Sequence, residues 1–240
     1  MFTNFLFGCG QNNDGLFRGI AGLMGLGRNK ISIVEQTAQK YNRVFSYCLP
    51  TTSSSTGFLT FGNDDNKVSG NVKYTPLVQF DRSDSFYALE LQGITVAGRP
   101  LSISPSVFSS SGTIIDSGTV ISRLPPTAYS ALKSAFKEQM TGYPMAPADS
   151  LLDTCYDLRG KETGKIPEIS FVFGGGAEVK LEPVGILYHV SDNQDCLAFA
   201  ANTDDRDVTI FGNVQQKKYQ VVYDIGGGRV GFAPAPAGCS

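Results

Sequence analysis

Residues Ser111–Leu124 read SGTIIDSGTVISRL, and they put one carboxylate in a setting suited to chemistry. Asp116 follows an Ile-Ile pair and precedes Ser117, Gly118 and Thr119. The isoleucines suit a buried strand, the glycine permits a close turn, and the two hydroxyls are of the kind that hold a carboxylate. A carboxylate so placed can activate water if a second carboxylate lies close enough to share a proton. Burial and like-charge repulsion then push the two ionisations apart, so that one group serves as base and the other as acid. Such a site needs no metal and no cofactor, and none is expected here. A plain surface turn would explain Asp116, Ser117 and Gly118, but not the apolar pair before them.

Other chemistries find little support. Gly174–Gly176 and Gly226–Gly228 carry no following Lys-Ser/Thr and open no helix, so they read as β-turns and not as phosphate cradles. A Ser-His-Asp triad would need His189, the single histidine, which reads as a structural residue at a strand end. With one histidine and no CxxC pair, a zinc site is not expected. Cys48, in FSYCL, has no local base and reads as half of a disulfide. The 20 basic and 22 acidic residues nearly cancel and no basic run stands out, which argues against nucleic acid and anionic membrane surfaces as partners. No apolar run approaches the roughly 18 residues of a membrane span.

The elements that must position Asp116 are mostly strands. With 27 glycines and 12 prolines among short runs of Val, Ile, Phe and Tyr, the 240-residue chain reads as mostly β, with a few short helices and many tight turns. Strand composition marks 4–10, 57–62, 86–98, 168–175, 195–200 and 219–233, the last a hairpin around Ile225–Gly228. The serine-rich stretch SISPSVFSSSG reads as a solvated loop leading into a strand at 112–115. Ser32 is placed to cap a helix running to Tyr41. A second helix, PPTAYSALKSAFKEQM, carries Tyr129, Leu132, Phe136 and Met140 on one face, with Gly142 just past its end. Arg82–Ser85 reads as a linker, which puts a boundary near residue 80.

Five cysteines, Cys9, Cys48, Cys155, Cys196 and Cys239, are widely and irregularly spaced. That usage suits disulfides and an oxidising compartment, with one thiol left over. The opening MFTNFLFGCGQ lacks a basic stretch followed by a long apolar one and is not read as a signal peptide.

TIIDSGT resembles the second active-site motif of pepsin-like aspartic proteases. TIFGNVQQKKYQVVYDIGGGRVGFAP (209–234) resembles the family's C-terminal signature, a strand crossing behind the catalytic loop, a helical turn and a closing hairpin. GIAGLMGLGRNKISIVEQ (19–36) resembles the equivalent crossing strand of the other, N-terminal lobe. FGCGQNNDGLF, FSYCLP, DTCYDL and the late AGC are similar to the plant, nepenthesin-like branch. The implied fold is a pepsin-like acid protease fold that is incomplete. Residues 1–80 would be the C-terminal part of the N-terminal lobe, and 81–240 a whole C-terminal catalytic lobe.

The resemblance implies aspartic endopeptidase activity on polypeptide substrates, with Asp116 as one catalytic aspartate and Ser117, Gly118 and Thr119 supporting it. The family places its other aspartate on a matching loop of the N-terminal lobe. These residues hold only one Asp-Ser/Thr-Gly triplet, since Asp153-Thr-Cys has a cysteine where the glycine belongs. The missing half-lobe is therefore expected to be required for a complete site, and this chain alone to be inactive. The family's similarly placed cysteines imply a Cys155–Cys196 disulfide. Cys48 with Cys239 is the second expected pair, leaving Cys9 for a cysteine in the missing segment. The expected location is the secretory pathway, extracellular or vacuolar, with a plastid as the alternative. Two other readings follow from the same family: a non-catalytic binding protein, xylanase-inhibitor-like, and a half-molecule that dimerises to bring two copies of Asp116 together.

Overall fold

The computed structural model describes residues 2–11, 20–52, 54–63, 71–79, 81–82, 84–160 and 166–235. Two short helices, α1 (Ile33–Gln36) and α2 (Ala38–Tyr41), precede β1 (Val44–Cys48), β2 (Phe58–Phe61) and β3 (Lys73–Val78). Next come β4 (Tyr87–Leu89), β5 (Leu91–Val96), β6 (Arg99–Pro100), α3 (Pro105–Ser111), β7 (Thr113–Ile115), β8 (Ser122–Leu124) and the long α4 (Pro126–Gln139). They are followed by β9 (Met145–Ala146), β10 (Cys155–Tyr156), β11 (Ile169–Phe173), β12 (Ala177–Leu181) and α5 (Pro183–Ile186). β13 (Leu187–Ser191), β14 (Gln194–Leu197) and β15 (Phe199–Ala201) come next. The last elements are β16 (Thr209–Phe211), α6 (Asn213–Gln216), β17 (Tyr219–Asp224) and β18 (Arg229–Pro234).

The fold is mostly β, as the composition indicates. Ten strands form one sheet in the order β15-β8-β16-β7-β4-β3-β18-β17-β1-β2, flanked by two four-stranded sheets, β13-β14-β10-β9 and β12-β11-β5-β6. Most pairings are antiparallel, but β16 runs parallel to β7, with Phe211 opposite Ile115. The proposed division near residue 80 falls between β3 and β4, two neighbouring strands of this sheet. The closing hairpin β17–β18 sits in its middle, pairing on one side with β1 and on the other with β3. No helix among the described residues is long and apolar enough to cross a membrane.

Aromatic side chains fill the space between the layers. Phe171 stacks on Phe199 with centroids 5.7 Å apart, and Phe173 stacks on Phe232 at the same distance. Phe211 meets both Phe171 and Phe173 edge-on, at 5.3 and 5.4 Å. Tyr129, Leu132, Phe136 and Met140 are buried along one face of α4, the face that the 3.6-residue spacing selects. The helix starts at Pro126, and Asp205 caps it by accepting the Thr127 N–H at 2.8 Å and the Thr127 hydroxyl.

Four sequence expectations differ from the structure. Residues 4–10 form no strand and are exposed; Leu6 bonds to the Gln36 side chain through both its N–H and its carbonyl. Within the expected crossing strand at 19–36, residues 20–26 are likewise not a strand, while 12–19 lie outside the described residues. Among the described residues neither segment has a neighbouring strand to pair with, and strand composition without a partner does not make a strand. The expected solvated loop is a helix, α3: Pro105 starts it, Phe108 is buried, and Gly112 ends it at φ 66°. The helix capped by Ser32 is broken at Thr37 into α1 and α2, the Thr37 hydroxyl bonding back to the Ile33 carbonyl at 2.6 Å.

Candidate active site

β7 lies between β4 and β16, so it is covered on both edges, and its three residues, Thr-Ile-Ile, are all buried. The Asp116 N–H makes the last bond of this ladder, to the Phe211 carbonyl at 3.1 Å. Beyond it the chain turns and the half-buried Asp116 side chain emerges. Its Oδ1 accepts the Gly118 N–H at 2.9 Å and its Oδ2 accepts the Thr119 hydroxyl at 2.6 Å. The two bonds hold the carboxylate against its own turn. A Cβ at Gly118 would sit 3.2 Å from Oδ1, so the turn leaves little room for any other residue.

A second segment clamps this loop from behind. The Asn213 N–H donates to the Thr119 carbonyl at 2.7 Å, and Asn213 Nδ2 to the Ser117 carbonyl at 3.0 Å. At Gly212 a Cβ would lie 2.9 Å from both the Thr119 and Val120 carbonyl oxygens, so glycine is what lets the two segments touch. The Gly212 N–H donates to the Ser122 hydroxyl at 2.8 Å, which in turn donates to Gln215 Oε1 at 2.5 Å. Gln215 and Gln216 are fully buried and bonded through both ends of their amides. Asn213, Gln215 and Gln216 escaped notice in the sequence; two adjacent glutamines between an apolar strand and an apolar hairpin were the available signal.

Asp116 opens on a cavity of about 320 Å³ walled by Met24, Leu26, Phe45, Tyr47, Tyr87 and Tyr223. The Tyr87 hydroxyl donates to the Leu26 carbonyl at 2.7 Å, tying the N-terminal segment to β4. Burial pushes the Tyr47, Tyr87 and Tyr223 phenols well above their ordinary value, so they line the cavity as neutral donors. A second, apolar hollow of about 310 Å³ adjoins Ser117, between Leu26, Leu49, Phe58 and Leu59. Among the described residues lining the first of these cavities, Asp116 is the only carboxylate.

The remaining expected residues fall elsewhere. Cys155 and Cys196 face each other on β10 and β14 and are bonded, with S–S 2.01 Å. Cys48 is also disulfide-bonded, while Cys239 lies outside the described residues. Cys9 is free and exposed. Asp153 accepts from the Tyr129 hydroxyl and from Lys133 at 2.8 Å. His189 is exposed, with its Nδ1 3.0 Å from Asp195.

A buried strand delivers Asp-Ser-Gly-Thr, and a parallel strand with a Gly-Asn turn clamps that loop. Comparison with known proteins bears on the family. A family profile described as xylanase inhibitor C-terminal matches residues 86–234, and one described as xylanase inhibitor N-terminal matches 1–63. An aspartyl protease family protein of Arabidopsis thaliana is 54% identical over 240 residues, covering 100% of this chain and 50% of its own length. Aspartic proteinase nepenthesin-2 of Nepenthes gracilis is 36% identical, over 99% of this chain and 55% of its own length. The chain thus spans about half the length of these relatives. Among solved structures, edgp gives a TM-score of 0.78 at 21% identity, over 91% of this chain and 61% of that one. Basic 7S globulin from soybean gives 0.76 at 22%, over 93% and 60%. At that identity the two structures speak for the fold alone. The chain belongs to the pepsin-like aspartic protease family, in its plant nepenthesin-like branch.

Proposed function

We propose that this chain forms part of an aspartic endopeptidase and supplies one of its two catalytic carboxylates, Asp116. The observation that carries this reading is the Asp116 carboxylate itself, held by Gly118 and Thr119 at the mouth of an apolar cavity. In the complete site a water shared between Asp116 and a second aspartate attacks the peptide carbonyl, while the pair moves the protons. Ser117, Gly118 and Thr119 hold the loop and take no part in bond breaking. The second aspartate comes from a segment that these 240 residues do not contain. Residues 1–80 would then belong to the lobe carrying it, and 81–240 to the lobe carrying Asp116. The substrate is a polypeptide, and the disulfides suit an oxidising compartment, secretory, extracellular or vacuolar.

One comparison favours a second reading. The matching family profiles carry the description xylanase inhibitor, which supports a protein that binds and does not cleave. The two readings separate in one assay. The 240-residue chain, folded under oxidising conditions, is tested against a denatured protein between about pH 3 and pH 6, the acid range where paired carboxylates titrate. It is tested alone and fused to the N-terminal half of the Arabidopsis relative. We expect no cleavage by the chain alone and cleavage by the fusion that Asp116→Ala abolishes. A folded fusion that cleaves nothing would favour the binding reading. Cleavage by the chain alone, lost in Asp116→Ala, would point to a dimer in which two copies of Asp116 meet.

A further inference from the structure

Beneath the Asp116 loop lies a row of buried polar groups that the proposed reaction does not use. Gln216, fully buried on α6, donates from Nε2 to the Phe211 carbonyl at 3.0 Å. That same oxygen accepts the Asp116 N–H. The bond to Phe211 fixes which way the Gln216 amide faces, because only its NH₂ can donate to a carbonyl. Oε1 therefore faces Tyr47, whose hydroxyl donates to it. The Tyr47 oxygen lies 3.2 Å from the Tyr223 hydroxyl. Since the one proton of Tyr47 is committed to Gln216, Tyr223 must be the donor of that pair. Donation thus runs one way, from Tyr223 to Tyr47 to Gln216 to the Phe211 carbonyl, where it meets the Asp116 amide. Tyr47 is 4% exposed and Tyr223 2%. Ser117, the residue after Asp116, lines the same cavity as Tyr47.

We propose that Tyr47 is a positioning residue for Asp116, acting across the molecule through Gln216 and the Phe211 carbonyl. Tyr47 sits on β1, 169 residues from Gln216 in sequence and within the part of the chain that supplies no catalytic group. Buried polar networks stabilise less than apolar side chains of the same volume would, so packing alone does not call for hydroxyls and an amide here. What they add is direction: each partner accepts only one arrangement of the next. This proposal rests on the reading of Asp116 as a functional carboxylate.

The test is amide hydrogen exchange, read residue by residue by NMR on the ¹⁵N-labelled 240-residue chain. Tyr47→Phe removes one oxygen, keeps the ring, and leaves Gln216 Oε1 buried without a donor. We expect exchange at Asp116 and Gly118 to accelerate about tenfold, with Phe171 and Val179 on the β11–β12 sheet unchanged. Tyr223→Phe, which removes only the donor to Tyr47, should accelerate the same two amides about threefold. A merely structural role would speed all four amides by one common factor. That result, no change at Asp116, or a larger effect from Tyr223→Phe than from Tyr47→Phe would overturn the proposal. Should Tyr47→Phe fail to fold, Tyr223→Phe decides by the same selectivity. No peptide is cleaved in this experiment, so its outcome is independent of whether the protease reading holds.

Discussion

Two glycine turns in this chain do the same job with different backing. At Phe211-Gly212-Asn213 a parallel strand brings a glycine against the Asp116 loop, and Asn213 N–H bonds to the Thr119 carbonyl at 2.7 Å. At Leu26-Gly27-Arg28 a glycine is again pressed on a carbonyl, with Arg28 N–H bonded to Ser85 O at 3.0 Å and a Gly27 Cβ 2.9 Å from that oxygen. The first turn ends a strand that has β7 to pair with, and Phe211 is 1% exposed. The second follows residues that have no strand beside them among the described residues, and Leu23 and Met24 are 75% and 60% exposed. The two segments have similar apolar character, so the difference lies in the neighbour. A strand of this kind is a property of the pair and not of the segment.

The largest expected contrast is between the apolar residues of these two segments. Phe211→Ala should cost about 3–5 kcal/mol in urea unfolding, because the ring is locked among Phe171, Phe173 and Phe232. Leu23→Ala should stay within about 0.5 kcal/mol. A substantial loss at Leu23 would break the comparison, since it would mean that the segment is packed in solution. The cysteines give the next contrast. Replacing both Cys155 and Cys196 by serine should cost about 2–5 kcal/mol, measured the same way. Cys9→Ser, at an exposed free thiol, should change stability by less than about 0.5 kcal/mol. The glycines themselves come third. Gly212→Ala meets two carbonyl oxygens at 2.9 Å and the Ser122 nitrogen at 3.0 Å, all backbone, and should cost about 1–3 kcal/mol. Gly27→Ala meets one carbonyl in a surface turn that can give way, and should cost less than about 1 kcal/mol.

What could be read in advance follows the same line. The Asp116 turn, the crossing strand at 209–211 and the closing hairpin were legible because each has its partner within the chain, and their local patterns agree with the pairing. α4 was legible because four large residues recur at helical spacing. α3 was hidden: its serines carry little helix signal, and the helix rests on one buried ring, Phe108. Residues 4–10 and 20–26 carry strand composition but have no partner strand among the described residues, and composition cannot supply one. Gln215 and Gln216 were missed for a different reason. A glutamine reads as a surface residue, and it is buried here because every polar atom of its side chain finds a partner. Such pairing becomes visible only when distant segments are brought together.

The smallest expected effect concerns pH and sharpens the same contrast. α1 takes its cap from a residue next to it, since Ser32 accepts the Glu35 N–H at 3.2 Å. α4 is instead held by carboxylates from elsewhere in the chain, Asp205 at its start and Asp153 against Tyr129 and Lys133. Burial pushes the Asp153 carboxyl up, but the Lys133 ammonium and the Tyr129 and Thr154 hydroxyls together draw it below its ordinary value of 3.8. A carboxyl lowered by folding adds stability above that ordinary value and loses it as the pH falls through the lower, folded value. The Asp153 side chain is 46% exposed, so solvent screening limits the contribution to a few tenths of a kcal/mol. Wild type should therefore exceed Asp153→Asn by that small margin at pH 7, and the margin should close as the pH falls below 3.8 and through the lower, folded value. Glu35→Gln, at an exposed ion pair with Arg43 beside α1, provides the control. A margin for Asp153→Asn that persists unchanged at pH 2 would mean that α4 is anchored by packing alone, and that its tie to Asp153 adds no more than the local cap adds to α1.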